Sequence, residues 1–306
     1  MMKDKISWIA VDWGTSQLRC YAMQGTSALA KKRSDDGVGR LKPGEFEPAL
    51  LALIEEWLPQ QGVLPMLACG MVGARQGWQE AAYKTVPCAA TLSLGQATRE
   101  MVSIPTTDSR IKLSILAGVC QTEPADVMRG EETQVAGLMF GSKQTDNRVI
   151  CLPGTHSKWV RVQGGMIDEF STFMTGEVFA LLSKQSILKH SVSTGWDQST
   201  FIAAVKESIT DPAALLCSGF RLRADDLLRG VNKASATARL SGLLIGQELA
   251  GAKNYWSDKP VDVIGESALA DCYLTALESL GINCIKHNPS EMTLAGLCQA
   301  YESLAI

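Results

Sequence analysis

Residues 8–19, WIAVDWGTSQLR, run from an apolar stretch into Asp12, Trp13, Gly14, Thr15 and Ser16 and leave through Leu18 and Arg19. The stretch ISWIAVDWG predicts a buried strand, and LRCYAMQG predicts a second strand alternating apolar and polar residues up to Gly25. A buried strand that ends on a carboxylate, a bare glycine and two hydroxyls has delivered polar groups to one point. Glycine there lets the backbone approach a ligand closely, and converging N–H groups make a nest for an anion. The figure returns at RVICLPGTHSKWVRVQ, residues 148–163, again as strand, Gly-Thr turn and strand. One such turn alone reads as a hairpin turn. Two at equivalent places in two α/β halves read as a clamp on a polyphosphate.

The rest of the chain supplies the frame. A third strand is read through TSALAKKRSD, a helix through EFEPALLALIEEWLPQQG, and buried strands at VLPMLACGMVG and SILAGVCQ. EETQVAGLMFG reads as a helix with two acids in its first turn. After MIDEFSTFMTG a long helical stretch is expected from Glu177 to about Ala250, interrupted near Gly195 and at Asp211-Pro212. KPVDVIGES and INCIKHN are strands, ADCYLTALESLG a helix, and PSEMTLAGLCQAYESL closes the chain as an amphipathic helix. The polar stretch 141–147 places the domain boundary, giving domains 1–143 and 144–306.

Composition narrows the class. The 306 residues are 46% hydrophobic and 20% charged with a formal net charge of −3, so no basic block favours nucleic acid. No 18-residue uncharged apolar run suggests a membrane span, and the N-terminus lacks the apolar core of a signal peptide. Nine cysteines without a CxxC pair fit reduced thiols in a cytoplasmic protein. His156, His190 and His287 are too dispersed for a metal cluster.

VDWGTS, LPGTHSKW and VIGESALA resemble the two phosphate turns and the adenosine segment of the sugar kinase, Hsp70 and actin superfamily. Within it, VDWGTSQLR, ACGMVGARQGW, MRGEETQVAGL and LPGTHSKWV together resemble the 2-dehydro-3-deoxygalactonokinases. The resemblance implies an α/β fold of two ribonuclease H-like, actin/hexokinase-type domains flanking a cleft. It implies transfer of the γ-phosphate of ATP, with Mg2+, to the 6-hydroxyl of 2-dehydro-3-deoxy-D-galactonate in galactonate breakdown. It also implies a cytoplasmic enzyme with small-molecule partners, without nucleic acid or membrane, and compatible with a homodimer. Rival expectations are a kinase of another sugar or sugar acid in the superfamily and a non-catalytic nucleotide-binding regulator.

Carried onto this chain, the resemblance gives Asp12 the magnesium ion, through water, against the alternative of a carboxylate satisfying turn N–H groups. Gly14, Thr15 and Ser16 form the first phosphate turn; Arg19 is either near the phosphates or a solvated edge charge. Gly154, Thr155, His156, Ser157 and Lys158 form the second turn, with Lys158 a point charge and His156 a hydrogen-bond donor rather than a base. The base is expected at Glu131 or Glu132, where related kinases carry an Asp in a Gly-Asp-Gln segment; the alternative is that both acids complement the helix dipole. Arg75 offers a fork to the substrate carboxylate, Gln76 a partner for hydroxyls and Trp78 a surface for the carbon chain. Gly265 and Glu266 are expected at adenosine, although the superfamily commonly shows Gly-Gly there. Gly242 and Gly246 read as close helix packing, and Thr175, Gly176 and Glu177 as cleft lining.

Overall fold

The computed structural model of the chain describes residues 3–92, 101–140, 147–257 and 259–304. The chain is a mixed α/β protein that resolves into two compact units. The first comprises Met1–Asp146, Gln163–Glu169 and Pro289–Ile306, and the second Asn147–Val162 and Phe170–Asn288.

In the first unit, β1 (Trp8–Trp13), β2 (Leu18–Gln24), β3 (Ser27–Ser34) and β4 (Leu64–Gly70) form a sheet that continues through two later strands. Its side chains divide by the two-residue period of a strand. Val11 and Trp13 face Phe46, Leu50 and Ile54 of α1 (Phe46–Ile54), whereas Trp8 and Ala10 face the opposite side. The short strands β5 (Tyr83–Thr85) and β6 (Cys88–Ala89) precede β7 (Met101–Ser103) and β8 (Ile111–Leu116), giving the sheet order β3-β2-β1-β4-β8-β7. The expected single strand SILAGVCQ is two: the chain leaves the large sheet after Leu116 and enters a small one as β9 (Gly118–Thr122), paired with β10 (Ala125–Met128) and β5. Helix α2 (Glu131–Met139) follows.

The expected second domain, 144–306, differs from the observed division. Residues 141–146, which carry most of the expected boundary, lie outside the described residues. The C-terminal helix Pro289–Glu302 belongs to the first unit, where Leu297, Cys298 and Ala300 bury against Trp8, Ala10, Leu67 and Cys69 and Tyr301 stacks on Trp8 at 4.2 Å. Two glycines let it cross α2 at backbone contact: a Cβ on Gly137 would lie 1.9 Å from the Met292 carbonyl oxygen, and one on Gly296 2.0 Å from that of Thr133. The physical reason is coverage, since the Trp8–Ala10 face needs an apolar partner and this helix supplies it.

The second unit is built on β11 (Arg148–Leu152), on β12 (Ser157–Gln163) up to Val162 and on β13 (Met166–Phe173) from Phe170, later joined by two parallel strands. The helices are α3 (Thr175–Lys184), α4 (Gln198–Thr210), α5 (Leu215–Arg229) and α6 (Lys233–Gly251). The long helical stretch therefore has one break more than expected, at Gly230 in the left-handed conformation. A short α7 (Lys253–Trp256) leads to β14 (Val261–Ile264), α8 (Ala268–Glu278) and β15 (Cys284–His287). Gly242 and Gly246 pack as expected: Cβ atoms there would lie 2.5 and 2.6 Å from the carbonyl oxygens of Phe201 and Val205 on α4.

Candidate functional site

The first turn is held by backbone. The Gly14 N–H donates to the Gln17 carbonyl at 3.0 Å, and the Val38 and Gly39 N–H groups donate to the carbonyls of Gly14 and Thr15 at 3.0 and 2.9 Å. Thr15 and Ser16 stay exposed at its tip. Asp12 and Arg19 are cross-strand partners, and Arg19 Nη1 donates to Asp12 Oδ2 at 2.7 Å while Nη2 donates to Gln17 Oε1 at 2.9 Å. Arg19 thus spends its fork on orienting Asp12. Asp12 Oδ1 has no hydrogen-bond partner among the described residues, so one carboxylate oxygen remains for a cation. A single carboxylate suits Mg2+, which keeps several waters and takes phosphate oxygens as further ligands.

Parallel pairing of β1 and β4 sets Cys69 beside Asp12 and Gly70 beside Trp13. Burial pushes the Cys69 thiol far up, and the nearby charges of Asp12 and Glu132 push it further. These groups therefore share one locality at the strand ends. Gly70 and Gly130 both adopt positive φ, at 90° and 107°, which turns each chain away from its strand without a Cβ clash.

The two acids of α2 differ. Glu131 is half-buried and accepts the Arg129 N–H at 3.1 Å. Glu132 is 6% exposed, accepts the Gly130 N–H at 2.6 Å and accepts from the Thr133 hydroxyl at 3.1 Å. Burial, followed by the charge of Glu131, pushes Glu132 up to about 7. A carboxyl at that value exchanges its proton near neutral pH, as a general base requires. It also lines a cavity of about 30 Å³ with Lys84, Thr133 and Gln299.

In the segment after β4, Arg75 and Gln76 are exposed and make no hydrogen bond or ion pair among the described residues. Trp78 instead stacks on Phe46 with ring centroids 6.1 Å apart and meets Trp13 edge-on, so it packs at the margin of the core. Beneath the segment lies Arg129, which no sequence pattern singled out.

The second turn is held by side chains. Ser157 is buried and bonds the Tyr273 hydroxyl at 2.8 Å; that hydroxyl donates to Glu248 Oε2 at 2.6 Å, and Trp159 Nε1 donates to Glu248 Oε1 at 2.8 Å. Burial raises Glu248 above the usual carboxylate range, while hydrogen bonds from Thr175, Tyr273, Trp159 and Ser157 oppose the rise. The Ser157 hydroxyl is thereby committed inside the unit, leaving the backbone and Thr155 to face a ligand. Lys158 is buried. His156 Nε2 meets Glu177 Oε2 at 2.6 Å at the surface, and the Glu177 N–H donates to the Thr155 carbonyl at 3.0 Å. Gly176 fits against Gly154, whose carbonyl oxygen would lie 2.3 Å from a Cβ.

A pocket of about 850 Å³ opens beside this turn, with Gly154, Thr155, Thr175 and Gly176 on its wall. Its apolar lining includes Phe179, Trp196, Leu244, Ile245 and Leu269, and its polar groups include Gln198, Thr237, Ser241 and Thr275. This is the composition of a small-molecule site, apolar walls with a few polar groups that fix orientation. Gly265 and Glu266 are not among the lining residues; Gly265 donates its N–H to the His287 carbonyl and packs on Ala270, and Glu266 is exposed. The face of α8 that follows them, Ala268 to Thr275, lines the pocket in their place.

The 2-keto-3-deoxy-galactonokinase family profile matches residues 12–300. The chain belongs to that family. A Rhizobium meliloti protein named as a probable 2-dehydro-3-deoxygalactonokinase is 38% identical over 308 residues, covering 97% of each chain. The Escherichia coli 2-dehydro-3-deoxygalactonokinase is 31% identical over 279 residues, covering 90% of each. The crystal structure of a Sinorhizobium meliloti protein described as a candidate 2-dehydro-3-deoxygalactonokinase aligns with a TM-score of 0.86 at 37% identity, covering 96% of this chain and 98% of that one. No helix among the described residues is long and apolar enough to cross a membrane.

Proposed function

We infer that this galactonokinase-family chain transfers the γ-phosphoryl group of ATP to the 6-hydroxyl of 2-dehydro-3-deoxy-D-galactonate in cytoplasmic galactonate breakdown. The observation that carries the reading is the family match over residues 12–300, coinciding with a second Gly-Thr turn that opens on a pocket of about 850 Å³. The reading carries the finer fold expectation of two ribonuclease H-like domains of the actin and hexokinase type flanking a cleft.

In this reading the Glu132 carboxylate accepts the proton of the 6-hydroxyl as that oxygen attacks the γ-phosphorus. The bond from the γ-phosphorus to the bridging oxygen breaks and ADP leaves, its charge met by N–H groups of the turn 154–158 and by Lys158. Asp12 would hold a magnesium ion, which would supply charge neutralisation on the phosphates. Glu131 is the alternative base. Arg75 and Gln76, exposed and without partners among the described residues, are candidates for the acid and hydroxyl groups of the substrate, and the pocket takes the nucleoside.

An ADP-release assay over a panel of sugar acids and neutral sugars, with and without a chelator, tests the reading. Release that depends on the 2-keto-3-deoxy acid and is lost on chelation supports it. Release with a neutral sugar and none with the acid moves the chain to another substrate. Release undiminished by chelation removes the magnesium role of Asp12.

A further inference from the structure

Arg129 ends the segment that leads into α2, two residues before Glu131. It is 9% exposed, and its Nε and Nη1 are buried without any hydrogen-bond partner. Nη2 donates to the Ala81 carbonyl at 2.7 Å, and the guanidinium lies 4.2 Å over the Tyr83 ring. No carboxylate makes a direct ion pair with it among the described residues, although its charge is felt by Glu132. A buried cation with two open donors is costly unless an anion or water completes it. The roof over Nη1 is Gly73, where a Cβ would approach that nitrogen to 2.9 Å, so the fork sits directly beneath the backbone of the segment 71–81.

We propose that Arg129 is the cation that receives the substrate's carboxylate, and so the residue that makes the site selective for a sugar acid. The inference rests on the kinase reading above and deepens it. Nε and Nη1 point to opposite edges of the guanidinium, so the carboxylate-matching face pairs Nη1 with the second N–H of Nη2, whose first N–H holds the Ala81 carbonyl. Arg75, by contrast, is exposed, and a solvated cation discriminates weakly. The position also suits the chemistry: Arg129 and the candidate bases Glu131 and Glu132 leave one short stretch of chain. An acid held at one end thereby presents its far hydroxyl to the base. Access runs through the Gly73–Ala81 segment, which is tied to itself by the Ala81 N–H on the Gly73 carbonyl at 2.9 Å. Entry of the acid therefore displaces that segment.

The test compares steady-state kinetics on the sugar acid and on the same chain carrying CH2OH in place of the carboxylate. Wild type is expected to prefer the acid. Arg129→Gln, which keeps a donor for the Ala81 carbonyl, should raise the KM for the acid by about 10- to 100-fold. It should change the KM for ATP and the constants for the alcohol by less than about threefold. Arg129→Lys should recover part of the loss, because an ammonium cannot reproduce the fork. Should the Gln variant fail to fold, as read by thermal melting, the Lys variant decides. An acid-over-alcohol preference fully kept in Arg129→Lys, or kept in Arg129→Gln and erased in Arg75→Ala, overturns the proposal while the kinase reading stands. A wild type without that preference overturns the proposal as well, whereas a wild type that releases ADP with the alcohol and none with the acid overturns the kinase reading itself.

Discussion

The two units handle polarity in opposite ways. The first brings Asp12, Glu131 and Glu132 to the ends of its strands and the start of α2, and the cavity beside Glu132 holds only about 30 Å³. The second commits one of its buried carboxylates, Glu248, to a network behind the turn 154–158 and opens a largely apolar pocket of about 850 Å³. A titratable carboxyl serves proton transfer, whereas a saturated one serves only to hold a backbone in place. Substitutions in the first unit should therefore act on turnover, and those in the second on stability and on nucleotide affinity.

The sharpest test is Glu132→Gln. Loss of a general base lowers turnover by roughly 10²–10⁴, with the KM for ATP nearly unchanged. Wild-type turnover should rise with pH through about 7, as Glu132 gives up its proton. Stability moves the other way. The folded pKa lies above the unfolded value, so between about 4.5 and 7 the unfolded chain has lost a proton that the native chain keeps, and stability falls as pH rises. Glu132→Gln should remove that slope in melting curves. Turnover near wild type in Glu132→Gln, with a collapse in Glu131→Gln, would shift the base to Glu131.

The second test is Glu248→Leu. It strands the Trp159 indole N–H in a buried space, at a cost of about 1–3 kcal/mol, and takes from the Tyr273 hydroxyl its charged acceptor, leaving it Ser157 alone. Chemical denaturation should report a loss of roughly 2–5 kcal/mol. Turnover at saturating ATP should change little compared with Glu132→Gln. A turnover loss as deep as that of Glu132→Gln, in protein that remains folded, would break the contrast between the units.

These sites were unequally legible. The Asp12 strand and both Gly-Thr turns could be read because a polar break in an apolar run is a local signal. Gly242 and Gly246 could be read because four-residue spacing puts both on one helix face. The pocket could be read only along its Gly154, Thr155, Thr175 and Gly176 wall: the rest takes ordinary Thr, Ser and Leu residues from α3, α6, α8 and the segment 192–198, and no single stretch carries the pattern. The return of the C-terminal helix to the first unit was hidden for a related reason. Its amphipathic pattern shows that it packs, but which sheet face lacks cover emerges only once the sheets are built. Arg129 was invisible because its character comes from missing partners.

Trp196 tests the pocket itself. It stands on the pocket wall with its Nε1 bonded to Gln198 Oε1 at 2.9 Å and its ring 5.1 Å from that of Phe201. An indole in contact with a base contributes about 1–3 kcal/mol. Trp196→Ala should then raise the KM for ATP by roughly 5- to 150-fold, leaving the KM for the sugar acid in place. An unchanged ATP KM would put the nucleoside elsewhere.

The smallest effect is expected at His156, the residue of the second turn that most invites a catalytic reading. Its ring and the Glu177 carboxylate form an exposed pair at 2.6 Å. Solvent screens such pairs, and holding two mobile side chains costs entropy, so the contact contributes about 0–1 kcal/mol. The turn does not depend on it, because the Glu177 N–H holds the Thr155 carbonyl and Ser157 is anchored from beneath. His156→Ala should therefore change the KM for ATP by less than about fivefold and leave the pH profile of turnover unshifted. A hundredfold loss of turnover, or a profile that loses its limb near neutral pH, would make His156 the proton acceptor. It would then move part of the chemistry into the second unit and end the division of labour argued from Glu132 and Glu248.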